Sequence, residues 1–244
     1  MSDDWDAYFT HVDGKPATML LDLGLTEDAP IPGLSILGYV TIDFLDPDEN
    51  GMSKPGENDR LNALEDALVA ALVHDTCIFV GRCTTAGQRD FFFYMDNGKG
   101  VEETLEAMMT KFEEYTWDMG LVEEAGWETY LEFLFPDEQG MDSIWNNRIR
   151  RNLLAEGDIS SLPRVIEHWI QFAAQADMDA FILEAEREGF AVGAKEKKPD
   201  ARFEVLLRRE DVPDDINDVT WPLRELVGAH GGAYDGWGCS VVQK

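Results

Sequence analysis

The chain has 244 residues, of which 44% are hydrophobic and 11% aromatic, enough apolar material for two domains of ordinary size, each with its own core. Twenty Lys and Arg against 49 Asp and Glu leave a net charge of −29, which repels phosphate backbones and anionic headgroups and so argues against direct nucleic-acid or membrane binding. Three cysteines, Cys77, Cys83 and Cys239, form no CxxC pair, which excludes a disulfide framework or thiolate metal site as the organising device and fits a reducing compartment.

The first residues carry neither a basic nor an apolar leader region, and no run of 18 apolar residues occurs, so the expected location is the cytoplasm. Two β-rich apolar segments, Lys15 to Leu25 and Leu34 to Phe44, flank the turn signal Asp28-Ala29-Pro30-Ile31-Pro32-Gly33. After the loop from Asp46 to Gly56, Leu61, Leu64, Leu68, Ala71 and Leu72 recur at helical spacing within Glu57 to His74. Strands at about Thr76 to Thr84 and Arg89 to Met95 are joined by a hairpin at Thr85-Ala86-Gly87-Gln88. Val101, Leu105, Met108, Phe112 and Tyr115 then stripe a second helix, and Trp127 to Phe135 reads as a closing strand. From Leu34 the order is β-α-β-β-α-β, preceded by one extra strand.

Pro136-Asp137-Glu138 marks the expected boundary, giving domains at 1–136 and 137–244. Met141, Ile144, Trp145, Ile149 and Leu153 stripe a connecting helix that stops near Gly157. A strand at about Arg164 to Phe172, a helix from Asp177 to Glu188, and strands at Phe190 to Lys195 and Arg202 to Arg208 follow. A helix with Ile216, Val219, Leu223, Leu226 and Val227 precedes a last strand from Gly236 to Val242. The fold class is therefore α+β, with two consecutive ferredoxin-like split βαβ domains on antiparallel sheets. Each sheet is expected to leave one face free of its own helices.

Candidate chemistry is sparse. The four histidines, His11, His74, His168 and His230, are scattered singly without metal-ligand spacing, and His168, flanked at alternate positions by Ile166 and Ile170, reads as a structural histidine. Acidic pairs such as Glu102-Glu103, Glu113-Glu114 and Glu123-Glu124 point apart on a helix or strand and read as solvated faces. The stretch Asp46 to Gly51 looks like a calcium loop but has Leu61 where the twelfth-position glutamate belongs, and reads as a turn. No nucleotide fingerprint, nucleophile elbow or kinase signature occurs. No catalytic residue, cofactor or metal is expected. His230 to Cys239 is the most informative segment: Tyr234 and Trp237 flank Asp235-Gly236, either as interface anchors around a turn or as a core-completing strand.

Leu153-Leu154-Ala155-Glu156-Gly157-Asp158, Arg164-Val165-Ile166-Glu167-His168-Trp169, Glu188-Gly189-Phe190 and Tyr234-Asp235-Gly236-Trp237-Gly238 resemble, in order and spacing, the RraB family over about Ile149 to Gln243. That resemblance implies a ferredoxin-like fold and a non-enzymatic regulator that binds ribonuclease E and restrains it. Trp5-Asp6-Ala7-Tyr8, Gly14-Lys15-Pro16, Asp46-Pro47, Asn50-Gly51, Glu57, Gly81-Arg82, Gly87-Gln88-Arg89 and Phe93-Tyr94 resemble the family called domain of unknown function 695, which implies no activity.

The expectation is an acidic adaptor that docks a protein partner, a basic segment of an RNase E-type ribonuclease, through Tyr234, Asp235, Gly236, Trp237, Gly238, Trp169 and His168. Residues 1–137 hold 29 acids against 7 bases, a net of −22, so the attraction for a basic partner lies mainly there. The alternative is a small-molecule protein or enzyme with a cleft between the domains lined by Tyr94, Arg82, Arg89 and Trp237. A third reading has the helix-free sheet faces mediating homodimerisation.

Overall fold

Ten strands and five α-helices account for the computed structural model, which describes Ser2 and residues 4–243, and the chain divides into two units, Met1–Gly140 and Met141–Lys244. In the first, β1 (Trp5–Val12) and β2 (Lys15–Asp22) form a hairpin over Asp13-Gly14, both with positive φ, the conformation a two-residue hairpin turn demands. β3 (Ile36–Asp43) leads into α1 (Pro55–Leu72), which opens on a proline, tolerated where the N–H has no helical acceptor. β4 (Cys77–Thr85) and β5 (Gln88–Met95) turn over Ala86-Gly87, again at positive φ. α2 (Val101–Met109) and β6 (Trp117–Glu123) complete the unit.

The sheet order is β1-β2-β4-β5-β3-β6, all antiparallel. From β3 to β6 this is the ferredoxin-like arrangement, and β2, the extra strand, extends it with β1 hydrogen-bonded outside it. Leu61, Leu64, Leu68 and Leu72 of α1 pack with Leu105, Met108 and Met109 of α2 on Phe79, Phe91, Phe93 and Met95.

Two expectations need correction. The closing strand is not Trp127 to Phe135 but β6, and Thr129–Leu134 is a π-helical turn. The edge strand β6, WDMGLVE, buries none of its residues and breaks the apolar alternation at Gly120, whereas Trp127, Tyr130 and Leu134 are fully buried at spacings of three and four. Nor is the second face of this sheet bare. Trp127 stacks on Tyr94 at 4.0 Å between ring centroids and donates from Nε1 to the Leu34 carbonyl at 2.7 Å. Tyr130 donates to the Asp22 carbonyl at 2.6 Å, and Tyr8 donates to the Leu134 carbonyl at 3.0 Å. A second core of Ala17, Met19, Leu21, Cys83 and Tyr94 lies beneath this cover.

The second unit opens on α3 (Glu138–Ala155), nearly all of which lies within it, and continues with β7 (Arg164–Phe172), α4 (Gln175–Arg187), β8 (Ala191–Lys197), β9 (Phe203–Asp211), α5 (Asn217–Ala229) and β10 (Gly232–Cys239). Its sheet order, β10-β7-β9-β8, is again antiparallel and ferredoxin-like. Ile166, His168, Ile170 and Phe172 of β7 face Met178, Phe181, Ile182 and Leu223 of the helices, while Val165, Glu167, Trp169 and Gln171 take the opposite face. No helix of the described residues is long and apolar enough to cross a membrane.

Candidate functional site

The segment from Tyr234 to Gly238 is not a turn but the middle of β10. A regular strand would place Tyr234 and Trp237, three residues apart, on opposite faces. A β-bulge between Tyr234 and Gly236, with Gly236 at φ 133°, inserts one residue, so Tyr234 pairs with Ile170 and Trp237 with His168, both on the helix side. Gly236 suits this backbone because the conformation is one that L side chains rarely adopt.

The two aromatics meet different partners there. The buried Trp237 indole donates to Asn146 Oδ1 of α3 at 2.7 Å, and Asn146 Nδ2 donates to Asn217 Oδ1 and Thr220 Oγ1, both at 2.8 Å. The Tyr234 hydroxyl shares a 2.7 Å hydrogen bond with His168 Nδ1, and its ring carries the Arg224 guanidinium 4.6 Å from the centroid. Arg224 also forms an ion pair with the buried Asp142 of α3. Burial raises the Asp142 carboxyl above its ordinary range, against the opposing pull of Arg224. Burial likewise drives the Tyr234 hydroxyl upward, helped by Asp142.

His168 is fully enclosed, its ring edge-on to Phe190 at 5.5 Å and Nε2 without a partner. Burial, with the positive charge of Arg209 behind it, lowers its pKa to about 4, so the ring is neutral at physiological pH. His168 and Trp237 thus lie inside the unit. Asp235 is exposed, accepting from Gln171 Nε2 at 3.0 Å, Tyr234 and Gly236 are half-buried, and Trp169 lies half-buried on the opposite sheet face, against Gly238.

Between β10 and α3 runs a groove of about 680 Å³, lined by Asp142, Trp145, Ile149, Asn152, Arg224 and the Tyr234–Trp237 stretch. Trp145 stands 49% exposed on its rim, with the Arg148 guanidinium 4.8 Å above the ring. Sequence reasoning found the β10 wall but not Asp142, Asn146 and Arg224. The helical stripe marks the apolar side of α3, and these polar residues lie outside that pattern.

Other residues quoted for the resemblance hold the scaffold. Gly157, at positive φ, ends α3, and Arg164 pairs with buried Asp158. Burial opposes ionisation of Asp158, but the Arg164 guanidinium, the Val242 N–H and the Ser160 hydroxyl outweigh it and hold the carboxyl below its usual range.

In the first unit Tyr94 is fully buried under Trp127, and Arg89, almost fully buried, donates to Thr84 Oγ1 at 3.1 Å. Arg82 pairs with Glu65 of α1. These residues stitch the unit internally. Asp48 Oδ1 accepts from the Asn50 and Met52 N–H groups at 2.8 and 2.9 Å, closing the 46–51 loop as a turn, and the described residues hold no cluster of three metal-ligating side chains. All three cysteines are free. Burial pushes the Cys77 thiol up to about 11 and Cys83 to about 12, and raises the half-buried Cys239.

Fold and site together define a two-domain α+β protein with a groove walled by a sheet edge and a helix in its second unit. The chain belongs to the family of unknown function DUF695, whose model matches residues 3–135, and residues 143–239 match the family described as regulator of ribonuclease activity B. No curated protein matches the chain in sequence. Among solved structures, one described as a putative glycine cleavage system transcriptional repressor is 10% identical, covering 84% of this chain and 98% of its own, with a TM-score of 0.24. An unknown protein from Galdieria sulphuraria is also 10% identical, covering 82% and 96%, with a TM-score of 0.23.

Proposed function

We propose that this chain is a non-enzymatic, cytoplasmic regulatory protein whose C-terminal unit docks a protein partner, and that the partner is a basic segment of an RNase E-type ribonuclease. The observation that carries the reading is the match of residues 143–239 to the regulator of ribonuclease activity B. The charge of −29 supports it, because an uncompensated anionic field speeds encounter with a cationic segment and discourages direct contact with RNA.

The test joins capture to activity. Immobilised full-length chain is exposed to lysate of its native host at low and at high salt, and the purified ribonuclease is then assayed with and without it. A stoichiometric ribonuclease partner, retained at low salt and released as screening rises, with slowed RNA cleavage, is the expected result. Capture of no such enzyme, or an unchanged cleavage rate, counts against the proposal.

A further inference from the structure

Two Asn-Gly pairs occur in the chain, Asn50-Gly51 and Asn97-Gly98, and both asparagines are exposed. In such a pair the glycine nitrogen can reach the side-chain carbonyl carbon of the asparagine before it, because no Cβ blocks the approach. The structure holds the two pairs differently.

At Asn50-Gly51 the attacking group is committed. The Gly51 N–H donates to the Asp48 carbonyl at 3.0 Å, and the Gly51 carbonyl accepts from the Gly87 N–H at 2.8 Å. Gly51 sits at φ 75° with its backbone tight against Ala86 and Gly87 of the β4–β5 turn. Swinging this peptide toward the Asn50 side chain would break those bonds.

At Asn97-Gly98, between β5 and α2, the nitrogen is free and the amide is held. The Gly98 N–H donates to no protein acceptor among the described residues. Asn97 Oδ1 accepts from the Lys99 N–H at 3.1 Å, an Asx turn that folds the side-chain amide back over the Gly98 peptide. Asn97 Nδ2 donates to Asp96 Oδ1 at 2.8 Å, which fixes the other end of the amide. An N–H aimed at a carbonyl oxygen stabilises the negative charge that develops there when a nucleophile adds to the carbon. Asn97 also lines an open cleft of about 170 Å³ with His74, Thr76 and Lys99, roomy enough for water.

We propose that Asn97 is a self-modification site, at which the folded chain converts its own asparagine to aspartate and isoaspartate. The Gly98 nitrogen attacks Asn97 Cγ and gives its proton to water. The Cγ–Nδ2 bond breaks, Nδ2 takes a proton from water, and ammonia leaves a five-membered succinimide. A second water opens the ring. Attack at Cγ gives aspartate, and attack at the Asn97 main-chain carbonyl carbon gives isoaspartate, whose backbone runs through the side chain. The product places a new carboxylate beside Asp96, Glu102 and Glu103, so the anionic field of the first unit deepens as the molecule ages. This inference stands apart from the docking of a partner.

The test ages the full-length chain in mildly alkaline buffer, native and in urea. Mass spectrometry follows the peptides carrying Asn50 and Asn97, and enzymatic methylation counts isoaspartate. The rate at Asn97 relative to Asn50 should rise about tenfold or more from urea to native buffer, with Asn97 itself no slower when folded. Native Asn97→Gln, with urea unfolding unchanged, should lose most of the isoaspartate, since its longer side chain would have to close a larger ring. A relative rate that stays level or falls on folding overturns the proposal, as does a folded Asn97 slower than the unfolded one. Aspartate without isoaspartate at Asn97 also overturns it, because direct hydrolysis gives only aspartate. Undiminished isoaspartate from Asn97→Gln would place the reaction elsewhere and do the same.

Discussion

His168 shows how a single side chain ties the family-like pattern to stability. Its pKa of about 4 lies below the unfolded value of ~6.5, so between those limits the unfolded chain binds the proton and the folded chain does not. The stabilisation is full above ~6.5 and is lost as pH falls toward 4, on the order of 3 kcal/mol. Urea unfolding at pH 7.5 and 4.5 should show wild type losing more stability than His168→Gln, because carboxylate titrations are common to both and cancel. Parallel losses would show that the imidazole is not desolvated as described. The alternation of Ile166, His168 and Ile170 made its inward orientation legible. Its hydroxyl partner Tyr234, 66 residues away in sequence, was not.

At the scale of elements, the bulge in β10 is the device that lets two aromatics three residues apart serve one face. Inserting one alanine between Gly236 and Trp237 would push Trp237 one position along the pleat, onto the opposite face and away from Asn146. The expected result is loss of the slowly exchanging indole N–H of Trp237 and destabilisation of ~3 kcal/mol or more, the order of losing a buried aromatic. An unchanged indole signal would show that the bulge does not set the register. Asp-Gly in a sequence signals a turn more often than a bulge, and the strand reading emerges only once Ile170 and His168 supply the register. The opposite lesson comes from Asp13-Gly14, a strong two-residue hairpin signal flanked by alternating residues, which marks β1 and was available from the sequence. The π-helical turn was harder, because Trp, Tyr and Phe in a short run favour a strand by composition, and only the three-and-four spacing of the buried residues says otherwise.

For the whole molecule, charge is distributed as unevenly as function. Residues 1–137 carry a net of −22, and residues 138–244, with 20 acids and 13 bases, a net of −7. Repulsion among like charges destabilises the compact state and is screened by salt. Raising sodium chloride from low concentration to ~0.5 M should therefore lift the melting of the first unit more than that of the second, as read by calorimetry with residue-resolved hydrogen exchange. Equal shifts would mean that local ion pairs, not net charge, set the response. The alternation of helix and strand patterns made both split βαβ domains legible, because each helix carries its own apolar stripe. The groove was not, since it arises where α3 and β10 meet, nearly ninety residues apart.

The deeply shielded thiols of Cys77 and Cys83 carry a practical corollary. Electrophiles react with thiolates, and at neutral pH these two are ionised in roughly one molecule in ten thousand or fewer. A cysteine placed by design on an open surface would outcompete them for maleimide dyes, so spectroscopic reporters can be attached at a chosen position with both residues left in place.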